Sequence, residues 1–208
     1  MKNLPIGISE FPELRKTNCV YVDKTKYVYS LLKNNRRTFL SRPRRFGKSL
    51  LVSTLESALQ GKKELFEDLW ITTSDYSWEP SGIIRLDFSE LSIKSADNFT
   101  NNLIYVLKSI GKLENLILEE SSDLNIVFMD LISALYTKYK SVAILIDEYD
   151  HPILHTLHHP DLAIEIRNIG MVQKQHKMGN TLWQQTCKNL SNFGLIIDRR
   201  LFNLVDFT

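Results

Sequence analysis

Cysteine is nearly absent from this 208-residue chain, and the two thiols present, Cys19 and Cys187, have no paired spacing. They build neither a disulfide framework nor a zinc knuckle, and they suit a reducing compartment. Long apolar runs are missing too. The longest aliphatic stretch, Val142 to Ile146, falls far short of the roughly 20 residues that cross a bilayer, so no membrane partner is expected. Met1 to Phe11 contains a single Lys but lacks the apolar stretch and small-residue cleavage site of a secretory signal, which leads to the expectation of a cytoplasmic protein. A strong charge bias is also lacking: 26 Lys plus Arg against 24 Asp plus Glu leave a net charge of +2. That balance gives no support to a protein that wraps a nucleic-acid duplex, and any such binding would need a local patch. No internal repeat and no low-complexity tract is found.

What remains is an ordinary globular composition, 43% apolar and 24% charged, in a chain long enough for one domain with a substantial core. Asp23 can cap a helix that carries Tyr27, Val28, Leu31 and Leu32 on one face. Thr38 to Ser41 reads as a short strand ended by Pro43, and a helix begins after Gly47. Its inward stripe is Leu51, Thr54, Leu55, Ala58 and Leu59, and Gly61 is a left-handed stop. A short helix is expected over Glu64 to Leu69, and a strand over Ile83 to Phe88. Two longer helices follow, one with Phe99, Leu103, Leu107 and Ile110 on a face, the other with Leu124, Val127, Phe128, Leu131, Leu135 and Tyr139. The uninterrupted run Val142 to Ile146 reads as a strand buried on both faces. Strands alternating with helices imply an α/β fold with a mostly parallel sheet between two helix layers. Beyond about Ile169 the pattern weakens around Trp183, with one strand-like piece at Leu195 to Ile197.

Two segments carry chemistry. Ser41-Arg42-Pro43-Arg44-Arg45-Phe46-Gly47-Lys48-Ser49 holds the second half of a Walker A motif, with Arg42 where the first glycine would stand. Backbone N–H groups of such a loop and of the following helix start face phosphates, and the helix dipole favours their charge. Gly47 lets the backbone approach closely. Lys48 would bridge β- and γ-phosphate oxygens, and the Ser49 hydroxyl would supply one ligand to Mg²⁺. Arg44 and Arg45 add positive charge at the same mouth, where they either hold phosphates or lie solvated. Gly-Lys-Ser alone could be a chance tripeptide at a helix start. The second segment, Val142 to Glu148, is a buried strand that ends in two acids, a Walker B pattern: Asp147 would order metal-bound waters and Glu148 would polarise the attacking water. Taken singly, those acids could merely cap the strand exit. Both motifs in this order, each on the element its chemistry needs, favour a nucleotide site.

These residues also resemble a family. Leu4-Pro5-Ile6-Gly7-Ile8, Tyr21-Val22-Asp23-Lys24-Thr25, the stretch from Phe39 through Ser49 to Leu50, and Ile146-Asp147-Glu148-Tyr149-Asp150 with Pro152-Ile153-Leu154 closely resemble the bacterial AAA-ATPase-like proteins over roughly Leu4 to Arg167. The resemblance implies a three-layer P-loop NTPase sandwich, ATP and Mg²⁺ as cofactors, and a loop, Arg44 to Leu50, that contacts the nucleotide. It makes Arg42 a family feature, favours adenine over guanine, and leaves room for a homo-oligomer. Relatives of this kind continue into a strand with a polar sensor residue and often into a PD-(D/E)XK nuclease-like domain. Here no aliphatic strand ending in a Thr-Gly type turn is evident after Arg167, and no nuclease constellation follows. The expectation is therefore a P-loop domain over 1–168, with an adaptor segment over 1–36, and a divergent segment over 169–208 in a truncated or rearranged member.

The expected activity is Mg²⁺-dependent hydrolysis of the β–γ bond of ATP, with Glu148 and Lys48 as catalytic residues. The rivals are a scaffold that holds nucleotide without turnover and a nucleic-acid module using Arg36, Arg37, Arg42, Arg44 and Arg45 beside Phe39 and Phe46. Charge set to meet nucleotide phosphates explains that patch more simply, and two aromatics in a strand-to-helix turn are usually core. Four of the five histidines, His151, His155, His158 and His159, crowd behind the acids. A helix started by Pro152 would bring His155, His158 and His159 together, but a solvated helix face explains them as well as a metal site does.

Overall fold

Alternation of apolar and other residues along a strand, and of strands with helices along the chain, decides the architecture here. A computed structural model describes residues 2–34, 38–39, 46–169 and 196–198. Their strands, β1 (Thr38–Phe39), β2 (Gly82–Asp87), β3 (Val142–Asp147) and β4 (Ile196–Asp198), form one parallel sheet in the order β1-β4-β3-β2. The helices are α1 (Phe11–Lys16), α2 (Thr25–Asn34), α3 (Lys48–Leu59), α4 (Ala96–Leu113), α5 (Leu124–Tyr139), α6 (His151–His155) and α7 (Pro160–Asn168).

β3 is buried at every position, as its unbroken aliphatic run requires in a sheet covered on both sides. Ile84 and Leu86 of β2 with Val142, Ile144 and Ile146 of β3 face α4 and α5, where Phe99, Leu103, Leu107, Val127, Phe128, Leu131 and Leu135 complete one core. The intervening residues Ala143 and Leu145 face the other way, onto Val52, Leu55 and Ala58 of α3, with Phe11, Val28 and Phe66 beyond. The expected apolar stripes of α4 and α5 are thus the observed ones. Both helices start on side-chain caps: Ser95 accepts from the Asn98 N–H, and Asp123 accepts from Asn125 and Ile126.

The cap expected at Asp23 is present, its Oδ1 accepting from the Thr25 N–H at 2.8 Å and the Thr25 hydroxyl at 2.7 Å. Gly61, at φ +71°, is the left-handed stop after α3; an added Cβ there would lie 2.7 Å from the Trp78 carbonyl oxygen. Three expectations need correction. Glu64 to Leu69 forms no α-helix: a single 3₁₀ turn covers Lys63–Phe66, and Asp68 takes φ +64° so that both Phe66 and Leu69 can enter the core under α3. The helix expected to start at Pro152 spans only His151–His155, leaving His158 and His159 outside it. The strand-like piece at the chain's end is β4, lying between β3 and β1, so the sheet has the neighbour whose absence was expected after Arg167. Trp183 and Cys187 lie outside the described residues.

Candidate functional site

Parallel strands share one carboxyl end. β1, β4 and β3 are parallel and joined through β4, so the loop that leaves β1 for α3 starts from the same sheet edge at which β3 ends in Asp147. α3 also packs on the face of β3 to which Asp147 belongs, because Ala143 and Leu145, four and two residues upstream, contact the α3 core. The start of α3 and the acid of β3 therefore belong to one face of the sheet, toward its carboxyl edge.

Gly47 opens α3 at φ +70°, ψ +31°, a left-handed cap that favours glycine, and among the described residues no atom lies within 4 Å of where a Cβ would stand. Its carbonyl accepts the first helical bond, from Leu51 at 3.0 Å. Lys48 is buried, at 4% exposure, and Ser49 is half-buried. Phe46 corrects the expectation of a core aromatic: it is 62% exposed at the loop's edge. Arg36, Arg37, Arg42, Arg44 and Arg45 fall outside the described residues.

At the other side Asp147 is 2% exposed, and its Oδ1 accepts from the Glu148 N–H at 3.0 Å. Glu148 takes φ +50°, unusual for a residue with a side chain. This turn redirects the chain out of the strand, and the Glu148 carbonyl then accepts from the His151 N–H at 2.8 Å as α6 begins. Such backbone costs of order 1–3 kcal/mol and collects at functional sites. Among the described residues no group of three or more His, Cys, Asp or Glu converges as a metal cluster. A hydroxyl on α3 and a carboxylate on β3 are hard oxygen donors, which fit Mg²⁺ held by one or two protein ligands with phosphate oxygens and water.

Two hollows adjoin this edge. A groove of about 230 Å³ runs from Gly47 and Leu50 to the N-terminal segment, where Pro5, Tyr21, Val22 and Tyr27 line it together with Phe46. Several of these apolar groups are exposed, Val22 at 70% and Tyr27 at 69%. The segment is pinned there by the Val20 N–H, which donates to the Asn3 carbonyl at 2.8 Å. The larger cleft, about 580 Å³, opens at the end of β2 between Glu10, Arg85, Asp87, Glu90, Asn102 and Tyr105. Arg85 there bonds Glu10 at 2.8 Å and Glu56 of α3 at 2.7 Å. Glu10 also accepts from Ser53, whose oxygen accepts the Phe11 N–H. The hydrogen bond from Arg85 holds the Glu10 carboxyl below its ordinary range, against the upward push of burial, while the same bond raises Arg85. Neither this network nor Asp87 emerges from the sequence motifs; an acid closing a second strand was the available signal for Asp87.

A family model described as Predicted AAA-ATPase matches residues 5–192. A curated relative from Azotobacter chroococcum mcd 1, described as "Uncharacterized protein in vnfD 5'region", is 34% identical over 170 residues, covering 80% of this chain and 33% of the relative. The chain thus spans about one third of that relative's length. No solved structure matches. With the loop, the acids and nearly the whole chain inside that match, the protein belongs to the predicted AAA-ATPase family.

Proposed function

We propose that this protein is a Mg²⁺-dependent ATPase built as a three-layer P-loop sandwich. The observation that carries the reading is the convergence of the Gly47-Lys48 helix start with Asp147 on one face and edge of the sheet. Backbone N–H groups and the dipole at the start of α3 receive the phosphates. Lys48 holds β- and γ-phosphate oxygens, and Ser49 and Asp147 hold the cation. Bound Mg²⁺ would neutralise charge on those oxygens. Glu148, carried clear of the strand by its left-handed backbone, orients water for in-line attack and takes its proton. The new bond joins the water oxygen to the γ-phosphorus, and the broken one is the β–γ bridge, whose electron pair leaves with ADP. The groove beside Gly47 and Leu50 suits the base, since it is apolar, base-sized and continuous with the phosphate cradle. Arg44 and Arg45 belong to the same loop and add charge at its mouth.

The test is ATP affinity with and without Mg²⁺ for the whole chain and for Lys48→Ala, followed by single-turnover hydrolysis. Losing a charge-assisted contact of about 1.5–3 kcal/mol weakens binding roughly 10- to 100-fold. Glu148→Gln keeps ATP bound but releases no phosphate. Equal ATP affinity in the native chain and Lys48→Ala would sink the proposal, and tight binding by the native chain with no phosphate released would leave a nucleotide-holding scaffold in its place.

A further inference from the structure

Asp87 has no part in the scheme above, yet it ends β2 in register with Asp147 at the end of β3. In-register residues of parallel strands project to the same face, with the strands about 4.8 Å apart. That face is the one under α3: Arg85, two residues before Asp87, bonds Glu56 of α3, and Leu145, two before Asp147, packs in the α3 core. The two carboxylates therefore stand side by side at the edge where α3 begins.

Asp87 is also held in one orientation. Its Oδ1 accepts from the Ser89 N–H at 2.9 Å and from the Ser89 hydroxyl at 2.6 Å, a turn that fixes the carboxylate. Oδ2 has no donor among the described residues. The side chain is half-buried and lines the 580 Å³ cleft, so water reaches it. An acid that is anchored through one oxygen and wet at the other, one strand away from a buried acid, is placed to accept from a water and not to bond the protein.

We infer that Asp87 is a positioning residue of the nucleotide site: its free oxygen orders the water shell of the cation that Ser49 and Asp147 hold. The inference rests on the nucleotide reading above. Mg²⁺ keeps several of its waters when bound by few protein ligands, and a carboxylate beyond the coordinating one reaches it through such a water. Outer partners of this kind are worth about 10- to 100-fold in metal affinity. The negative charge of Asp87 also opposes a metal-free triphosphate, so its removal acts in opposite directions with and without the cation.

The decisive variant is Asp87→Asn in the full chain, since asparagine keeps an oxygen for Ser89 and loses only the charge. ATP binding is titrated with Mg²⁺ and again in chelator, and thermal melting is followed without nucleotide. The expected result is a Mg²⁺ requirement raised about tenfold, metal-free ATP affinity equal or higher, and an unchanged melting temperature. Mg²⁺ dependence identical to that of the native chain overturns the inference. So does a parallel loss of ATP affinity with and without Mg²⁺ together with a lower melting temperature, which would make Asp87 a structural turn. Should the native chain bind ATP no better than Lys48→Ala, the nucleotide reading itself fails, a result recognisable without the Asp87 variant.

Discussion

The two faces of the sheet are built from alternate residues of the same two strands, yet they differ in kind. On one, α4 and α5 bring no buried polar or charged side chain among those described, and five strand residues meet an aromatic and aliphatic layer. On the other, α3 alone buries Lys48, Ser53, Thr54 and Ser57, and a partly buried Arg85 bridges Glu10 and Glu56. Thr54 and Ser57 satisfy themselves on carbonyls one turn back, but Ser53 reaches the N-terminal segment. The apolar face supplies burial at about 25 cal/mol per Å². The polar face gives up some of that to fix where α3 and the N-terminal segment stand. A fold can thus separate the source of its stability from the surface that does chemistry.

That separation is tested most strongly by one substitution on each face. Phe128, fully buried beneath α4, leaves a cavity when cut to alanine, and Phe128→Ala is expected to cost about 3–5 kcal/mol. At roughly 2–4 °C per kcal/mol in a chain of this size, the melting temperature falls by on the order of 10 °C. ATP affinity of the folded fraction stays within about twofold, as distant sites act independently. Lys48→Ala is the converse: the stabilisation by bound ATP, about 2.7 kcal/mol in the native chain at a hundredfold excess over its dissociation constant, falls by about 1.3–2.3 kcal/mol when binding weakens 10- to 100-fold. If Phe128→Ala abolished ATP affinity at low temperature, the two faces would not be separable.

A smaller effect is expected at Arg85, where the polar face makes its main cross-element contact. Arg85→Met keeps the aliphatic stem but leaves Glu10 and Glu56 without their cation. The side chains are 25%, 42% and 21% exposed, so water offsets part of the loss, and about 1–3 kcal/mol is expected by thermal or urea melting. The N-terminal segment should loosen first, seen as faster amide exchange at Phe11, whose N–H bonds Ser53 at 2.9 Å. Uniform exchange along the chain would mean that Arg85 holds no particular element.

Elements whose pattern is local were legible in the sequence. β3 follows from its aliphatic run, and α4 and α5 from three-and-four spacing, while their caps at Ser95 and Asp123 came only with the structure. What depends on neighbours far along the chain was not. The pairing of Asp87 with Asp147 is a register across two helices, and nothing local encodes it. Phe66 and Leu69 read as helix but are drawn separately into the core, which a left-handed Asp68 permits. The histidine helix stops because the Thr156 hydroxyl bonds the Pro152 carbonyl and Pro160 forces extended backbone on His159, at φ −128°, ψ +80°. The placing of Lys48 at a helix start and of Asp147 at a strand end was readable from the sequence, whereas the groove beside Gly47 needs Pro5 and Val22 to come alongside α3.

The mildest expected effect lies in acid. Hydrogen bonds from Arg85 hold the Glu10 carboxyl below its ordinary value despite burial. A folded-state value below the unfolded one contributes stability that is present above the unfolded value, near pH 4.3. That contribution is lost as pH falls through the lowered folded value. Asp23 behaves likewise: burial pushes it up most, but bonds from Thr25 and the Trp70 N–H outweigh that and leave it low. Glu10→Gln should melt lower at pH 7, where it lacks the charge Arg85 pairs with, yet lose less on going from pH 5 to pH 3. The remaining slope belongs to groups such as Asp23. Melting curves of the native chain and Glu10→Gln across that range decide the point. Parallel slopes would show that the polar face draws no pH-dependent stability from Glu10, and would leave the charge on that face a matter of position alone.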